Sequence, residues 1–91
     1  MKSKAIVTVL GKDQVGIVAK IATTLSANQV NIEDISQTIM GETFSMVMLV
    51  TLSEELTPFA SLSEELRSAG DALGLQVTLQ HQDVFSYMHR V

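Results

Sequence analysis

The order of its hydrophobic patterns is the feature that most constrains the fold of this chain. Four segments carry the signals of β-strands, and two carry the i, i+3, i+4, i+7 apolar spacing of core-facing helices. The strand signals are Ala5–Leu10, Asn31–Met40, Phe44–Leu52 and Leu75–Gln80. The helical stripes are Val18, Ile21, Ala22 and Leu25, and then Phe59, Leu62, Leu66, Ala69 and Leu73. The chain therefore predicts the order β-α-β-β-α-β.

This order predicts an α+β domain of the ferredoxin-like arrangement. Gly41-Glu42 predicts a tight turn between the second and third strands, which then pair antiparallel. Two right-handed β-α-β crossovers joined by this hairpin give a four-stranded antiparallel sheet with both helices on one face. We expect residues 1–91 to form a single domain, in which Asp83 is a candidate cap for a short C-terminal helix beginning at about residue 83.

Strand alternation and capping residues refine this prediction. On the third strand, one face is predicted to be core and consists of Phe44, Met46, Met48, Val50 and Leu52. Its other face, Ser45, Val47, Leu49 and Thr51, is half apolar, which indicates that this side of the sheet is partly covered. On the second strand, Ile35, Gln37 and Ile39 share one face. Asn28-Gln29 is predicted to end the first helix, Thr57 to cap the second before Pro58, and Gly74 to end it.

Composition excludes several classes of function. The 91 residues include no cysteine, which removes disulfides, thiolate metal sites and thiol catalysis and favours a cytoplasmic protein. The net charge is −4 and the six lysines and arginines are scattered, so we expect no nucleic-acid partner. No stretch approaches the roughly 20 apolar residues of a membrane helix, so we expect neither membrane insertion nor a signal peptide.

The segment GKDQVGIV, from Gly11 to Val18, joins the first strand to the first helix. A short loop with glycines at both ends that opens onto a helix N-terminus offers free backbone N–H groups to a small anionic group. A metallochaperone of this fold would need paired cysteines at this junction. An RNA-binding sheet would need aromatic residues on both central strands, where only Phe44 is present. The metallochaperone class is therefore excluded, and the RNA-binding class is strongly disfavoured.

The sequence offers little for catalysis or metal binding. An acylphosphatase, the main enzyme alternative, needs an arginine in the first loop, whereas this loop carries Lys12 beside Asp13. His81 with Asp83 supplies two metal ligands without a third, and we interpret His81 as an exposed residue at a strand end. We predict no catalytic residue, no metal site and no cofactor.

The loop, followed by Asn31-Ile32 at the start of the second strand signal, resembles the ACT domain, a ligand-binding regulatory module of the ferredoxin-like fold. The similarity covers essentially the whole chain, including the ending Met88-His89-Arg90. It is closest to stand-alone, single-domain ACT proteins related to the glycine cleavage transcriptional repressor type. The resemblance implies a homodimer or higher homo-oligomer, often joined edge to edge through the second strand. It also implies a small-molecule ligand, typically an amino acid, at the interface, and a separate regulated protein.

The resemblance also implies which residues bind the ligand. These residues are Lys12, Asp13, Gln14, Val15, Gly16, Ile17, Asn31 and Ile32. The Asp13 side chain would contact the ligand, and the N–H groups of Gly16 and Ile17 would take a carboxylate. Asn31 and Ile32 would reach across from the partner chain.

Structural interpretations of the same residues remain open. Asp13 is a candidate helix cap, Gly16 a candidate for close packing of helix on strand, and Asn31 a candidate partner for turn backbone groups. Val15 stands where proline is usual in the family, which loosens the loop without removing its donors. Three hypotheses follow: a non-catalytic amino-acid sensor, an acylphosphatase-like hydrolase, and a purely structural oligomerisation module.

Overall fold

The structure, a computed structural model, describes residues 2–83 and confirms the predicted order of elements. These are β1 (Lys2–Lys12), α1 (Ile17–Ala27), β2 (Asn31–Met40), β3 (Thr43–Ser53), α2 (Phe59–Asp71) and β4 (Gln76–His81). The C-terminal helix predicted from about Asp83 and the ending Met88-His89-Arg90 lie outside the described residues. The extent of the domain, residues 1–91, stays a prediction.

The four strands form one antiparallel sheet in the order β2-β3-β1-β4, so that β2 and β4 are its edge strands. Both helices pack on one face, as predicted for the ferredoxin-like arrangement. The helices contribute Ile17, Ile21, Leu25, Leu62, Leu66 and Ala69 to the core. All five β3 residues predicted to face the core, from Phe44 to Leu52, are buried. Period-two alternation on a central strand therefore predicted burial correctly.

The opposite face of the sheet, called the helix-free face below, is polar at its margins and apolar at its centre. Ile6 on β1 is only 8% exposed there, and Val47 and Leu49 on β3 are half-buried. Ile6 pairs with Leu49 in register. These side chains therefore shield one another, which accounts for the half-apolar pattern in the sequence.

The helix boundaries confirm one capping signal and correct two others. Asn28 is the C-cap of α1. The prediction that Gly74 ends α2 is wrong, because α2 ends at Asp71 with Ala72 as its C-cap, and Gly74, with φ of 71°, lies in the turn that follows. The prediction that Thr57 caps α2 is wrong, because Pro58 is the N-cap and no side chain caps this helix. The Thr57 hydroxyl instead donates a 2.5 Å hydrogen bond to the backbone carbonyl of Asn28. It therefore ties the start of α2 to the end of α1.

Two residues of the predicted second stripe are only partly buried. Phe59 stacks on His81 with ring centroids 4.1 Å apart and planes 13° from parallel. His81 is therefore half-buried on the helix side of the sheet, and the prediction of an exposed histidine is wrong. Leu73 lies beyond the last residue of α2, where its N–H donates to the carbonyl of Gly70 in a tightened turn.

A bulge in β2 holds its apolar residues on one face. The register shifts between Ile32 and Asp34, which makes Glu33 the extra residue. Because a one-residue slip turns every later side chain to the opposite face, the bulge keeps Ile35 on the same side as Ile32. Ile39 shares this face, as predicted, but is 56% exposed. The helices leave the outer edge of the sheet uncovered.

Gly70 allows α2 to approach β4 closely, and this contact gives a first prediction. A Cβ atom at Gly70 would lie 2.4 Å from Cγ2 of Val77 and 3.1 Å from the carbonyl oxygen of Leu75. We expect Gly70→Ala to lower the free energy of unfolding by about 1–3 kcal/mol through overpacking. The same change in an open helix would raise it by about 0.5–1 kcal/mol.

Urea denaturation measures this effect. The double variant Gly70→Ala/Val77→Ala, which deletes the clashing methyl group, should lose less stability than the two single variants together. A Gly70→Ala protein more stable than the wild type would contradict the close approach.

Candidate ligand site at the β1–α1 loop

The predicted ligand loop lies at one end of the sheet, beside the β2–β3 hairpin. Lys12, the last residue of β1, pairs with Thr43, which also pairs with Met40 at the end of β2. The N–H of Asp13 donates a 2.7 Å hydrogen bond to the carbonyl of Glu42 in the hairpin. The side chains of Lys12 and Asp13 are exposed. The Lys12 ammonium and the Asp13 carboxylate therefore lie at the start of the loop, next to the β2–β3 hairpin.

The Gln14 side chain donates hydrogen bonds to the backbone on both sides of the loop. Its Nε2 donates to the carbonyl of Leu73 at 2.8 Å and to that of Lys12 at 3.2 Å. The first bond joins the β1–α1 loop to the loop after α2. Both donors of the amide are thus engaged within the chain. We assign Gln14 a positioning role in the loop.

Removal of this amide gives a second prediction. We expect Gln14→Ala to cost about 0.5–1.5 kcal/mol, the net value of typical hydrogen bonds, while the backbone amides of Val15 to Ile17 exchange faster with solvent. Hydrogen–deuterium exchange measures the loop directly. Gln76→Ala, at an exposed β4 position, is the matched control. Unchanged exchange in the loop of Gln14→Ala would show that the bond to Leu73 does not hold it.

Gly16 begins α1 through its backbone conformation. Its φ of 94° lies in the left-handed region, which favours glycine. A Cβ atom there would meet nothing within 4 Å, so the prediction of close helix–strand packing is wrong. The prediction that Asp13 caps the helix is also wrong, since Gly16 is the N-cap and no side chain caps α1. The Asp13 carboxylate therefore makes no capping hydrogen bond to α1.

The first turn of α1 presents backbone donors to this end of the molecule. The first N–H groups of a helix lack an intrahelical acceptor, and no hydrogen bond among residues 2–83 uses the N–H of Gly16 or Ile17. The Ile17 side chain is buried in the core, so only its N–H is available to a ligand. Val15 is 98% exposed. The donors and the helix dipole together favour an anionic group here.

Asn31 and Ile32 lie at the opposite end of the sheet from the loop. Asn31 pairs with Thr51, whereas the loop adjoins Thr43, so about 27 Å of strand separates them. The Ile32 side chain packs partly against the core. The Asn31 side chain makes no hydrogen bond within residues 2–83, so no bond to turn backbone groups accounts for it. A single chain therefore brings six of the eight predicted residues together and leaves these two apart.

The structure also reveals polar residues that the sequence reasoning missed. Lys4 on β1 and Glu33 in the β2 bulge form an ion pair of 3.2 Å, and the hydroxyl of Thr51 lies buried nearby without a partner among the described residues. The spacing of Lys2 and Lys4, on one face of β1, was the available signal. Its significance depends on a bulge that the sequence pattern did not predict.

Other chemistry finds little support in the part of the chain that the structure describes. Among residues 2–83, no three His, Asp or Glu side chains gather as a metal-binding group. Arg67 forms an ion pair with Glu64 on the exposed side of α2, and this contact raises the pKa of the guanidinium. Its partner is thus on its own helix rather than in the loop. No helix within the same range is long and apolar enough to cross a bilayer.

Comparison with known proteins identifies the family. The sequence profile of the ACT domain matches residues 3–80. A UPF0237 protein of Methanocaldococcus jannaschii is 52% identical over 89 residues, which are 98% of this chain and 99% of the relative. A UPF0237 protein of Clostridium acetobutylicum is 46% identical over 97% of this chain and 99% of its own.

Solved structures agree with this result. An ACT domain protein from Streptococcus pneumoniae has a TM-score of 0.79 and 38% identity, over 91% of this chain and 93% of that one. A protein assigned as a glycine cleavage system transcriptional repressor has a TM-score of 0.81 over 90% of this chain and 47% of its own. Its 20% identity shows a shared fold alone.

The fold, the loop and these similarities define one class: the chain belongs to the ACT domain family. This confirms the resemblance noted in the sequence. ACT domains are regulatory domains that bind small molecules and commonly oligomerise. The two UPF0237 relatives match this chain along nearly their whole length.

Proposed function

We propose that this protein is a non-catalytic regulatory ACT protein that forms a homodimer through β2 and binds an amino acid at the dimer interface. The observation that carries the proposal is the exposed apolar edge of the sheet. Ile35, Ile39 and Met40 are large apolar side chains left exposed on an edge strand. Such an edge presents unpaired backbone groups that favour pairing with a second strand.

Antiparallel pairing of two β2 strands would complete the site. A two-fold axis between the strands places the start of one beside the end of the other. Asn31 and Ile32 of one chain would then adjoin Met40 and the β1–α1 loop of its partner. This arrangement explains why one chain holds the predicted ligand residues at opposite ends of a strand.

The chemistry of the loop favours a zwitterionic ligand. The N–H groups of Gly16 and Ile17 suit a carboxylate, and the exposed Asp13 carboxylate suits an ammonium group. Asn31 of the partner subunit would supply an amide that both donates and accepts hydrogen bonds. Ligand binding would then shift an association equilibrium that a separate regulated protein reads. The cytoplasmic location stays a prediction from the cysteine-free composition.

A thermal-shift screen with the common amino acids tests this function. An amino acid at 100 times its dissociation constant should stabilise the fold by about 2.7 kcal/mol and raise Tm by at least about 10 °C. Asp13→Asn and Asn31→Ala should each abolish the rise, whereas Asp71→Asn, at the end of α2, should keep it. A dimer that responds to no amino acid would instead support the purely structural module. Hydrolysis of an acyl phosphate, lost in Lys12→Ala, would support the hydrolase.

A further inference from the structure

A cavity on the helix-free face lies at the other end of the sheet from the β1–α1 loop. Its volume is about 480 Å³, within the range of roughly 300–1,000 Å³ typical of small-molecule pockets. It forms where β1 and β2 begin and β3 ends. The polar side chains used in the argument below are Lys2, Lys4, Asn31, Glu33, Thr51 and Ser53. The cavity therefore belongs to one chain and contains none of the loop residues.

The floor of this cavity is a cross-strand row with an unsatisfied hydroxyl at its centre. Thr51 on β3 pairs with Lys4 on β1 and with Asn31 on β2, so the three side chains stand side by side. The Thr51 Oγ1 is buried and has no hydrogen-bond partner among the described residues. Buried side-chain polar atoms are nearly always paired, and an exception calls for an explanation such as a bound species.

The Lys4–Glu33 ion pair crosses the strand that carries that hydroxyl. β1 and β2 flank β3 and lie about 10 Å apart, so a 3.2 Å contact between their side chains spans the middle strand. Glu33, the extra residue of the bulge, is the residue of β2 that reaches Lys4 across β3. A ligand that replaced Glu33 on Lys4 would lie next to Thr51, since Lys4 and Thr51 pair in register.

The charged side chains of the cavity favour an anionic ligand. The ammonium groups of Lys2 and Lys4 donate hydrogen bonds, the Asn31 amide and the hydroxyls of Thr51 and Ser53 both donate and accept them, and the carboxylate of Glu33 is paired with Lys4. The lining side chains carry two positive charges against one negative charge, in a protein of net charge −4. An acceptor-rich anion complements this set, and the volume admits an organic molecule rather than a bare ion.

We propose that this cavity is a second ligand site, which binds a small organic acid through its carboxylate. The carboxylate takes the place of the Glu33 side chain on Lys4 and accepts a hydrogen bond from the Thr51 hydroxyl. Lys2, Ser53 and Asn31 surround the rest of the molecule. The site shares Asn31 with the interface site proposed above, but its carboxylate contacts, Lys4 and Thr51, belong to one chain and to neither the loop nor the edge strand β2.

An NMR titration of the full chain with succinate, at constant ionic strength, tests the proposal. We expect saturable shifts of the backbone amides of Lys4, Thr51 and Ser53. Thr51→Val, which removes the hydroxyl at nearly constant volume, should weaken binding about tenfold and yet raise the Tm of the free protein, because an unpaired buried hydroxyl is lost. Thr51→Ser should keep binding. Glu33→Gln should bind succinate more tightly, since the competing charge is removed.

Matched controls distinguish succinate binding in this cavity from effects on folding and from binding at the β1–α1 loop. Thr8→Val makes the same chemical change on the same face outside the cavity and should leave succinate binding unchanged. Succinate shifts confined to residues 13–17 would overturn this site while supporting the loop. Linear shifts without saturation, a response to inorganic phosphate alone, or unchanged affinity in Thr51→Val would also overturn it. The failure of every amino acid in the thermal-shift screen would refute only the proposed function.

Discussion

We expect the Ile39→Lys variant to be a monomer at protein concentrations at which the wild-type chain is a dimer. Ile39 lies on the edge strand β2, and 56% of it is exposed in the single chain. Pairing of two β2 strands would bury that surface twice, once in each chain. Lysine at an edge strand instead opposes pairing, because its charge would have to be desolvated.

The size of this effect follows from the area removed from water. Burial of the exposed part of an isoleucine contributes about 1–2 kcal/mol per chain, and hence about 2–4 kcal/mol per symmetric dimer. The dissociation constant should therefore rise about 30- to 1,000-fold. Sedimentation or light scattering over a dilution series measures the change, and the far-ultraviolet circular dichroism spectrum should stay that of the folded chain.

The other edge of the sheet supplies the control. Thr78 is an exposed residue of β4, the second edge strand. Thr78→Lys adds the same charge to an edge strand and should leave the mass that of a dimer. A monomeric Thr78→Lys protein beside a dimeric Ile39→Lys protein would place the interface on β4 and refute pairing through β2.

Leu66→Ala is the substitution for which we expect the largest loss of folding stability. Leu66 stands at the centre of α2, is 1% exposed and packs into the single core between the helices and the sheet. Truncation of a fully buried leucine removes transfer free energy and leaves a cavity, which together cost about 2–5 kcal/mol. For a domain of this size, Tm should fall by at least about 10 °C.

Leu56→Ala tests whether burial is the cause. Leu56 lies in the β3–α2 connection and is 70% exposed. The same three carbon atoms are deleted, yet the loss should stay within about 0.5 kcal/mol. Urea denaturation of both variants at equal protein concentration makes the comparison. Similar losses in both would contradict the assignment of Leu66 to the core.

The fold was predictable because its signals are periodic. The alternation from Phe44 to Leu52 and the helical stripe through Ile21 and Leu25 each depend on many residues that agree, so local exceptions do not change the result. Individual caps were less predictable. Thr57 has the right chemistry for a cap, but a tertiary acceptor, the carbonyl of Asn28, takes its hydroxyl.

The candidate site was predictable only in part, for geometric reasons. Asp13 does not cap α1, because Gly16 adopts a positive φ and is the N-cap itself. The amino-acid composition of the loop does not predict this backbone conformation. The amide of Gln14, a predicted ligand residue, also donates to the carbonyl of Leu73, a contact 59 residues away in sequence that the pattern did not predict. The bulge that turns Glu33 toward Lys4 depends on the register between two strands. Hydrophobic patterns predict which face of a strand or helix is buried. Contacts between residues far apart in sequence, such as those of Gln14 and Glu33, depend on the three-dimensional structure.

The central claim, that one ligand site is shared by two chains, is tested most directly by mixing two inactive variants. Asp13→Ala and Asn31→Ala should each lose the binding of the amino acid found in the screen, as judged by calorimetry. In a mixed dimer, one site would regain both native residues and the other would lose both. After subunit exchange, the mixture should therefore recover about a quarter of the wild-type sites, at wild-type affinity. A mixture that recovers no binding would contradict a site built across the interface.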